Sequence, residues 1–399
     1  CFSQSVMFDL ASQLAARKDA ALYRSRVTSS SPQGVRIAIG GREYLSFCSN
    51  DYLGLASHPE LIRAMTDCAR DWGVGAGASH LLGGHSGPHE ELELALAEFM
   101  GAERVLLLST GYMANLAVLT SLVGRRDVIH QDRLNHASLI DGALLSRASL
   151  QRYHHVDMEA LESQLAGDKG SRKIVASDGV FSMDGDLTPL PAMLNLCREY
   201  EALCYIDDAH GFAVLGEQGR GIVDDVISRN DDYSQGHLLS MCTLGKAMGS
   251  FGAFIAGSDE MIETLIQQGR SYIYTTALPP AVAAASYAAF ELMSSEAWRR
   301  NKLAGLVDHF KAQSSLKGIP LMESSTPIQP VVIGDNDKAL AIADRLKRQG
   351  LLVFAIRSPT VAKGSERLRI TLSAAHDEAD IDVFTDVLAE ALADSGING

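Results

Sequence analysis

A chain of 399 residues, 46% hydrophobic and 21% charged, has the apolar material for a large core and the length for two domains or more. Its formal net charge of -14 gives no electrostatic footing for nucleic acid or an anionic membrane surface, and leaves only local basic pockets for anionic ligands. No run approaches the roughly 18 apolar residues of a membrane span, the start lacks a charged-then-apolar leader, and Cys1, Cys48, Cys68, Cys197, Cys204 and Cys242 form no C-x-x-C pair or metal-like spacing, so a cytoplasmic protein with free thiols and no metal is expected.

The chain opens on Cys1, and Met7 is a candidate native start, with residues 1–6 set aside from the fold. An amphipathic helix is predicted from Met7 through Tyr23, with Leu10, Leu14 and Ala21 among its apolar positions, broken by the polar stretch Thr28 to Gln33. Val35 to Ile39 and Tyr44 to Cys48 read as a hairpin turned at Gly40 and Gly41. Gly73 to Ala78, GVGAGA, fits a variant dinucleotide fingerprint in letters, but a helical pattern precedes it where a strand is needed; it is read as a flexible loop near the active site.

From Ala102 onward strands and helices alternate. Apolar runs at Val105 to Ser109, Val128 to Gln131, Lys173 to Ser177, Leu203 to Asp207 and Leu238 to Thr243, with Phe251 to Ala256 added, predict a mostly parallel sheet with helices on both faces. Such sheets bind ligands at the carboxyl ends of their strands. Ser109 to Asn115, STGYMAN, follows a strand and opens a helix, so the N–H groups of Gly111 and Tyr112 are candidates to cradle a phosphate; an ordinary strand-to-helix turn explains them equally. His136, in DRLNHASL, stands at a helix start, either as a cap or as an imidazole stacked on a ring. Ser182, in DGVFSMDGD, precedes a tight turn at Asp184, Gly185 and Asp186 that is too short in ligands for a calcium loop.

Two stretches then carry the chemistry: YIDDAHG at Tyr205 to Gly211 and SMCTLGKAMG at Ser240 to Gly249. A lysine that joins an aldehyde must be a neutral amine part of the time, which loss of water or a nearby cation favours, and Lys246 stands in such a turn. Asp207 at a strand end would hold a pyridine nitrogen protonated, and His210 would hydrogen-bond a phenolic oxygen. Thr243 offers a hydroxyl to the phosphate, while Gly245 and Gly249 are expected to let the backbone approach a bulky ring. Each residue alone has a bland reading, but together they point to a pyridoxal 5'-phosphate (PLP) site.

After Pro280 an alanine-rich helical region leads to a smaller α+β unit, with strands Ile328 to Ile333, Leu351 to Ile356 and Arg367 to Leu372, and a closing helix from Asp377 to Ala393. In ERLRITL, Arg367 and Arg369 leave one strand face; one of them binds a substrate carboxylate, or both are edge-strand charges. The expected division is residues 1–55 as an N-terminal helix and hairpin arm, 56–290 as a large cofactor domain and 291–399 as a small C-terminal domain.

With these motifs laid out, the chain resembles the α-oxoamine synthases, fold-type-I PLP transferases of the α/β class. The resemblance rests on SNDYLG at Ser49 to Gly54, NHASL at Asn135 to Leu139, DGVFSMDGD, DDAHG, TLGK and YTTALPP at Tyr274 to Pro280, from about Leu22 to near the C-terminus. DDAHG, GDN at Gly334 to Asn336 and IRSPTVAKGSERLRITLSAAH at Ile356 to His376 are similar to the biotin-pathway members; aminolevulinate synthases typically carry glutamate and valine at Asp208 and Ala209. The family usually has glutamate at Asp178, and its biotin members a second proline at Ser358, so the fine tuning of the cofactor and the acyl pocket beside Arg357 are the points of departure.

The resemblance implies decarboxylative condensation of L-alanine with pimeloyl-CoA or a pimeloyl carrier protein. The alternatives are glycine or serine with another acyl-CoA, or a non-catalytic partner subunit of the same fold. It also implies roles for Lys246 (joined to the cofactor), Asp207, His210, His136 (stacked on the ring) and Asn50 (beside the reacting centre), with Gly111, Tyr112, Ser182 and Thr243 around the cofactor. Thr276 would reach the phosphate from a second subunit, which implies a homodimer with shared sites. Arg369 would hold the amino-acid carboxylate, Arg357 would lie at the acyl pocket, and Arg24 and Arg26 both fit the N-terminal arginine that contacts the acyl substrate.

Overall fold

The computed structural model describes residues 8–20, 22–227, 233 and 236–397. The strands in chain order are β1 (Arg36–Ile39), β2 (Arg42–Ser46), β3 (Arg104–Leu108), β4 (Val128–Asp132), β5 (Ser149–Tyr153), β6 (Lys173–Asp178), β7 (Leu203–Asp207), β8 (Leu238–Thr243), β9 (Ala253–Gly257), β10 (Ile328–Val332), β11 (Leu351–Leu352), β12 (Phe354–Ile356) and β13 (Arg367–Thr371). Seven of them form the central sheet in the order β3-β9-β8-β7-β6-β4-β5. All neighbours in it are parallel except β9, which runs antiparallel to both β3 and β8.

Alternation along each strand sends side chains into two cores. Val105 and Leu107, Cys204 and Ile206, and Leu238 and Cys242 enter one. Leu106 and Leu108, Tyr205, and Leu239 and Met241 enter the other, with helices Gly111–Leu122 and Ala137–Ser146. Because helices cover both faces, these strands read as continuous apolar runs. The polar strand β5 has no such run: SLQRY is half exposed at the sheet edge, and the sequence reading passed over it.

At the C-terminal end, β10, β13 and β12 form an antiparallel sheet with β13 in the middle. The expected strand Leu351 to Ile356 is divided at Val353: β11 pairs in parallel with β2, and β12 pairs with β13. The hairpin β1-β2 turns at Gly40 and Gly41, both at positive φ (59° and 80°), as a two-residue hairpin loop requires. Through β11 it is tied to the C-terminal part of the chain.

The N-terminal helix covers Leu10–Asp19 and none of its residues is buried, so the expected apolar positions Leu10 and Leu14 stay exposed among the described residues. Met7 and Ala21 of that expectation lie outside the described residues. Among the described residues no helix is long and apolar enough to cross a membrane.

Candidate active site

The carboxyl ends of β6, β7 and β8 open on a cavity of about 180 Å³. Eight expected residues line it: Gly111, Tyr112, His136, Ser182, Asp207, His210, Thr243 and Lys246. Asn115, Ser138, Asp178 and Met241 line it too.

Asp207 ends β7, and its carboxylate is held by neutral donors. Asn115 Nδ2 donates to Oδ2 at 2.7 Å, and the Ala209 N–H donates to Oδ1 at 3.1 Å. The Tyr205 hydroxyl donates to Asn115 Oδ1 at 2.5 Å, which fixes the amide so that its NH2 faces Asp207 and Ser138. The sequence reading missed Asn115; its signal was its place in STGYMAN, one helical turn beyond Gly111 and so on the same helix face.

Lys246 lies in the turn after β8. Burial lowers its pKa to about 8; Asp207 and Asp178 oppose the shift, and the Arg369 cation adds to it. The amine is therefore partly neutral near pH 8, as an aldehyde-capturing lysine requires. Its two flanking glycines stand in different surroundings within the chain. A Cβ on Gly249, at φ 64°, would stand 2.4 Å from the Ala56 backbone nitrogen, while one on Gly245 would meet nothing closer than 3.7 Å. Gly249 packs the lysine turn against the Leu55–Ala56 backbone.

His210 is buried, and its pKa lies well below the ordinary value, first by burial and then by the charges of Lys246, Arg369 and His136. Its Nδ1 is 2.7 Å from the Tyr52 hydroxyl. Burial also raises the Tyr52 pKa, so the tyrosine keeps its proton, and its hydroxyl donates to Asn50 Oδ1 at 3.2 Å.

His136 caps helix Ala137–Ser146 and lines the cavity. Its N–H donates to Asp178 at 3.1 and 3.2 Å. Burial, then the Asp207 charge, pushes the Asp178 pKa well above the carboxylate range. Helix Gly111–Leu122 points its first turn at the cavity. Thr110 caps it by accepting from Met113 at 3.2 Å, which leaves the Gly111 and Tyr112 N–H groups without a helical acceptor. The Thr243 hydroxyl closes its own turn, donating to Gly252 O at 3.0 Å and accepting from the Gly245 N–H at 3.2 Å.

Arg367 and Arg369 are not edge charges. Both are buried on the central strand β13, with Arg367 paired to Asp184 at 2.6 Å. Arg369 donates through Nε to Ser182 O and through Nη1 to Asn50 Oδ1 at 3.2 Å, beside Tyr52 and His210. Asn50 thus joins the site through these partners and does not line the cavity itself.

Three expected residues stand apart. Thr276 is exposed and outside the cavity of this chain. Arg24 and Arg26 are exposed on the N-terminal segment; Arg24 donates to Thr360 Oγ1 at 3.1 Å, on the turn that begins at Arg357.

The donor set fits PLP. Asp207 offers a carboxylate held by the Asn115 amide and the Ala209 N–H, the first turn of helix Gly111–Leu122 offers N–H groups without a helical acceptor, and Lys246 offers an amine near neutrality. The profile of the family described as aminotransferase class I and II matches residues 42–388. A curated 8-amino-7-oxononanoate synthase of Cellvibrio japonicus is 51% identical over 390 residues, 98% of this chain and 97% of its own length. A serine palmitoyltransferase from S. paucimobilis, solved with PLP and myriocin bound, superposes with a TM-score of 0.89 at 26% identity over 97% of either chain. The crystal structure of an 8-amino-7-oxononanoate synthase from Francisella tularensis superposes with a TM-score of 0.76 at 28% identity, covering 89% of this chain and 99% of that one.

Proposed function

The chain belongs to the aminotransferase class I and II family and, within it, to the α-oxoamine synthases, and from that premise we propose that it is a PLP-dependent acyltransferase of biotin biosynthesis. The reaction is condensation of L-alanine with a pimeloyl thioester, giving 8-amino-7-oxononanoate, carbon dioxide and free thiol. The observation that carries the chemistry is Lys246, an amine held near neutrality beside Asp207 at the strand ends. The substrate pair rests on the 51% identity to a synthase of that name.

When bound, the cofactor supplies an aldehyde that joins amines and a protonated ring that accepts an electron pair from the neighbouring carbon. Asp207 would hold the ring-nitrogen proton, His210 would hydrogen-bond the phenolic oxygen, and His136 would cover the ring face. The Gly111 and Tyr112 N–H groups, with Ser182 and Thr243 close by, receive the phosphate. Arg369 holds the alanine carboxylate while Asn50 fixes its guanidinium. The Lys246 amine would take the Cα proton of L-alanine. The Cα electron pair attacks the thioester carbonyl and the thiol leaves; the carboxyl group then departs as carbon dioxide, and Lys246 returns a proton to Cα.

Arg24 and Arg357 flank the acyl entrance, and Thr276 completes the phosphate site of a partner in a cytoplasmic homodimer. The divisions 1–55, 56–290 and 291–399 are our assignment of arm, cofactor domain and small domain. A second reading, L-serine with a long acyl chain, is favoured by the higher TM-score to serine palmitoyltransferase. The near-full-length identity of 51% outweighs it. Purified enzyme offered L-alanine, glycine and L-serine against pimeloyl, acetyl, succinyl and palmitoyl thioesters should turn over alanine with pimeloyl fastest; preference for serine with palmitoyl overturns the assignment.

A further inference from the structure

Outside the cavity, His85, Glu90 and Glu93 bring three ligand atoms within 4.8 Å of one another. His85 Nε2 lies 3.1 Å from Glu90 Oε2 and 3.9 Å from Glu93 Oε2. Donors around a tetrahedral zinc, bound at about 2.0 to 2.2 Å, stand about 3.4 Å apart, so these side chains need only small rotations to close on one ion. We propose that His85, Glu90 and Glu93 form a binding site for a divalent transition ion of the zinc class.

The surroundings orient the donors as metal sites require. His85 uses Nδ1 on His80 Nδ1 at 2.9 Å, and His80 is fixed by stacking on Tyr272 with ring centroids 4.9 Å apart. That contact leaves His85 Nε2 for the ion. Glu93 accepts the Leu107 N–H through Oε1 at 2.7 Å, which turns Oε2 toward His85. Glu90 and Glu93 lie one turn apart at the start of helix Gly87–Met100. Among the described residues neither glutamate pairs with a lysine or arginine; Arg104, on the neighbouring strand, is engaged by Asp259 and Glu263.

A mixed nitrogen and carboxylate set suits zinc better than the all-oxygen ions magnesium and calcium. The spacing H-x4-E-x2-E matches no familiar metal signature, so the triad was not legible in the sequence. A bound ion would tie His85 to the start of helix Gly87–Met100, next to the segment whose Ala277 N–H donates to Ala78 O at 2.9 Å. Thr276 lies on that segment.

Holoenzyme freed of metal by chelator dialysis is titrated with zinc in a calorimeter. One saturating equivalent is expected, not displaced by excess magnesium. Glu90→Gln, at an exposed position whose one side-chain contact is His85, and His85→Asn should each weaken binding at least tenfold, while the exposed His154→Gln should not. Absence of a stoichiometric equivalent, unchanged affinity in both variants, or displacement by magnesium overturns the proposal.

Discussion

Lys246 is subject to opposed influences: burial and the Arg369 cation favour the neutral amine, while Asp207 and Asp178 favour the ammonium. Burial wins, and a pKa of about 8 leaves about a tenth of the amine neutral at pH 7. In cofactor-free protein the rate of aldehyde capture by Lys246 should therefore rise about tenfold per pH unit up to pH 7.5 and level off above pH 9. A rise continuing past pH 10 would show an ordinary lysine. Lys246→Ala should still bind the cofactor but lose turnover by several orders of magnitude in a steady-state assay. Tyr52→Phe removes the hydroxyl hydrogen-bonded to His210 Nδ1; turnover should fall about tenfold, with a changed pH dependence of the cofactor absorbance. An unchanged spectrum would mean that Tyr52 only packs. Lys246, Asp207 and His210 were legible in the sequence because their types and strand-end positions state the chemistry. Tyr52 and Asn115 act on those residues from other segments, and such contacts exist only after folding.

Among the elements, strands buried on both faces, the hairpin turned at Gly40 and Gly41 and the closing helix announced themselves, and the edge strand β5 did not. The edge strand β5 is too polar, and the division at Val353 arises from tertiary pairing with β2 on one side and β13 on the other. Arg367 and Arg369 looked solvated because their partners, Asp184, Ser182 and Asn50, are distant in sequence. Gly249→Ala should destabilise the protein by about 2 kcal/mol or more in urea unfolding, through the clash with Ala56 and the positive φ. A neutral result would mean that the 55–56 segment moves freely.

His155 ties the end of β4 to the turn beneath β13, bonding Asp132 at 3.1 Å and Asp186 at 2.7 Å. Burial lowers its pKa, but hydrogen bonds and charge from the two carboxylates outweigh this and raise it to about 10. Since the folded value exceeds the ordinary 6.5, the stabilisation is complete below about pH 6.5 and is lost as pH rises through about 10. His155→Asn should cost about 3 kcal/mol at pH 6 and much less at pH 10; an equal cost at both would exclude the ion triad.

At the scale of the whole molecule, exposed Thr276 and the uncovered N-terminal helix are the parts a single chain leaves unexplained. If Thr276 serves the partner's phosphate site, mixing Lys246→Ala with Thr276→Ala chains creates dimers with one intact site. Activity should then recover to about a quarter of wild type, well above the sum of the separate variants. No recovery on confirmed subunit exchange would assign both residues to one chain. The central claim is that alanine loses its carboxyl group as it gains the pimeloyl chain. L-Alanine labelled with carbon-13 in its carboxylate, incubated with enzyme and pimeloyl thioester, tests it most directly. All label should leave as carbon dioxide, one per unlabelled 8-amino-7-oxononanoate formed; label kept in the product, or product without labelled carbon dioxide, would contradict the account.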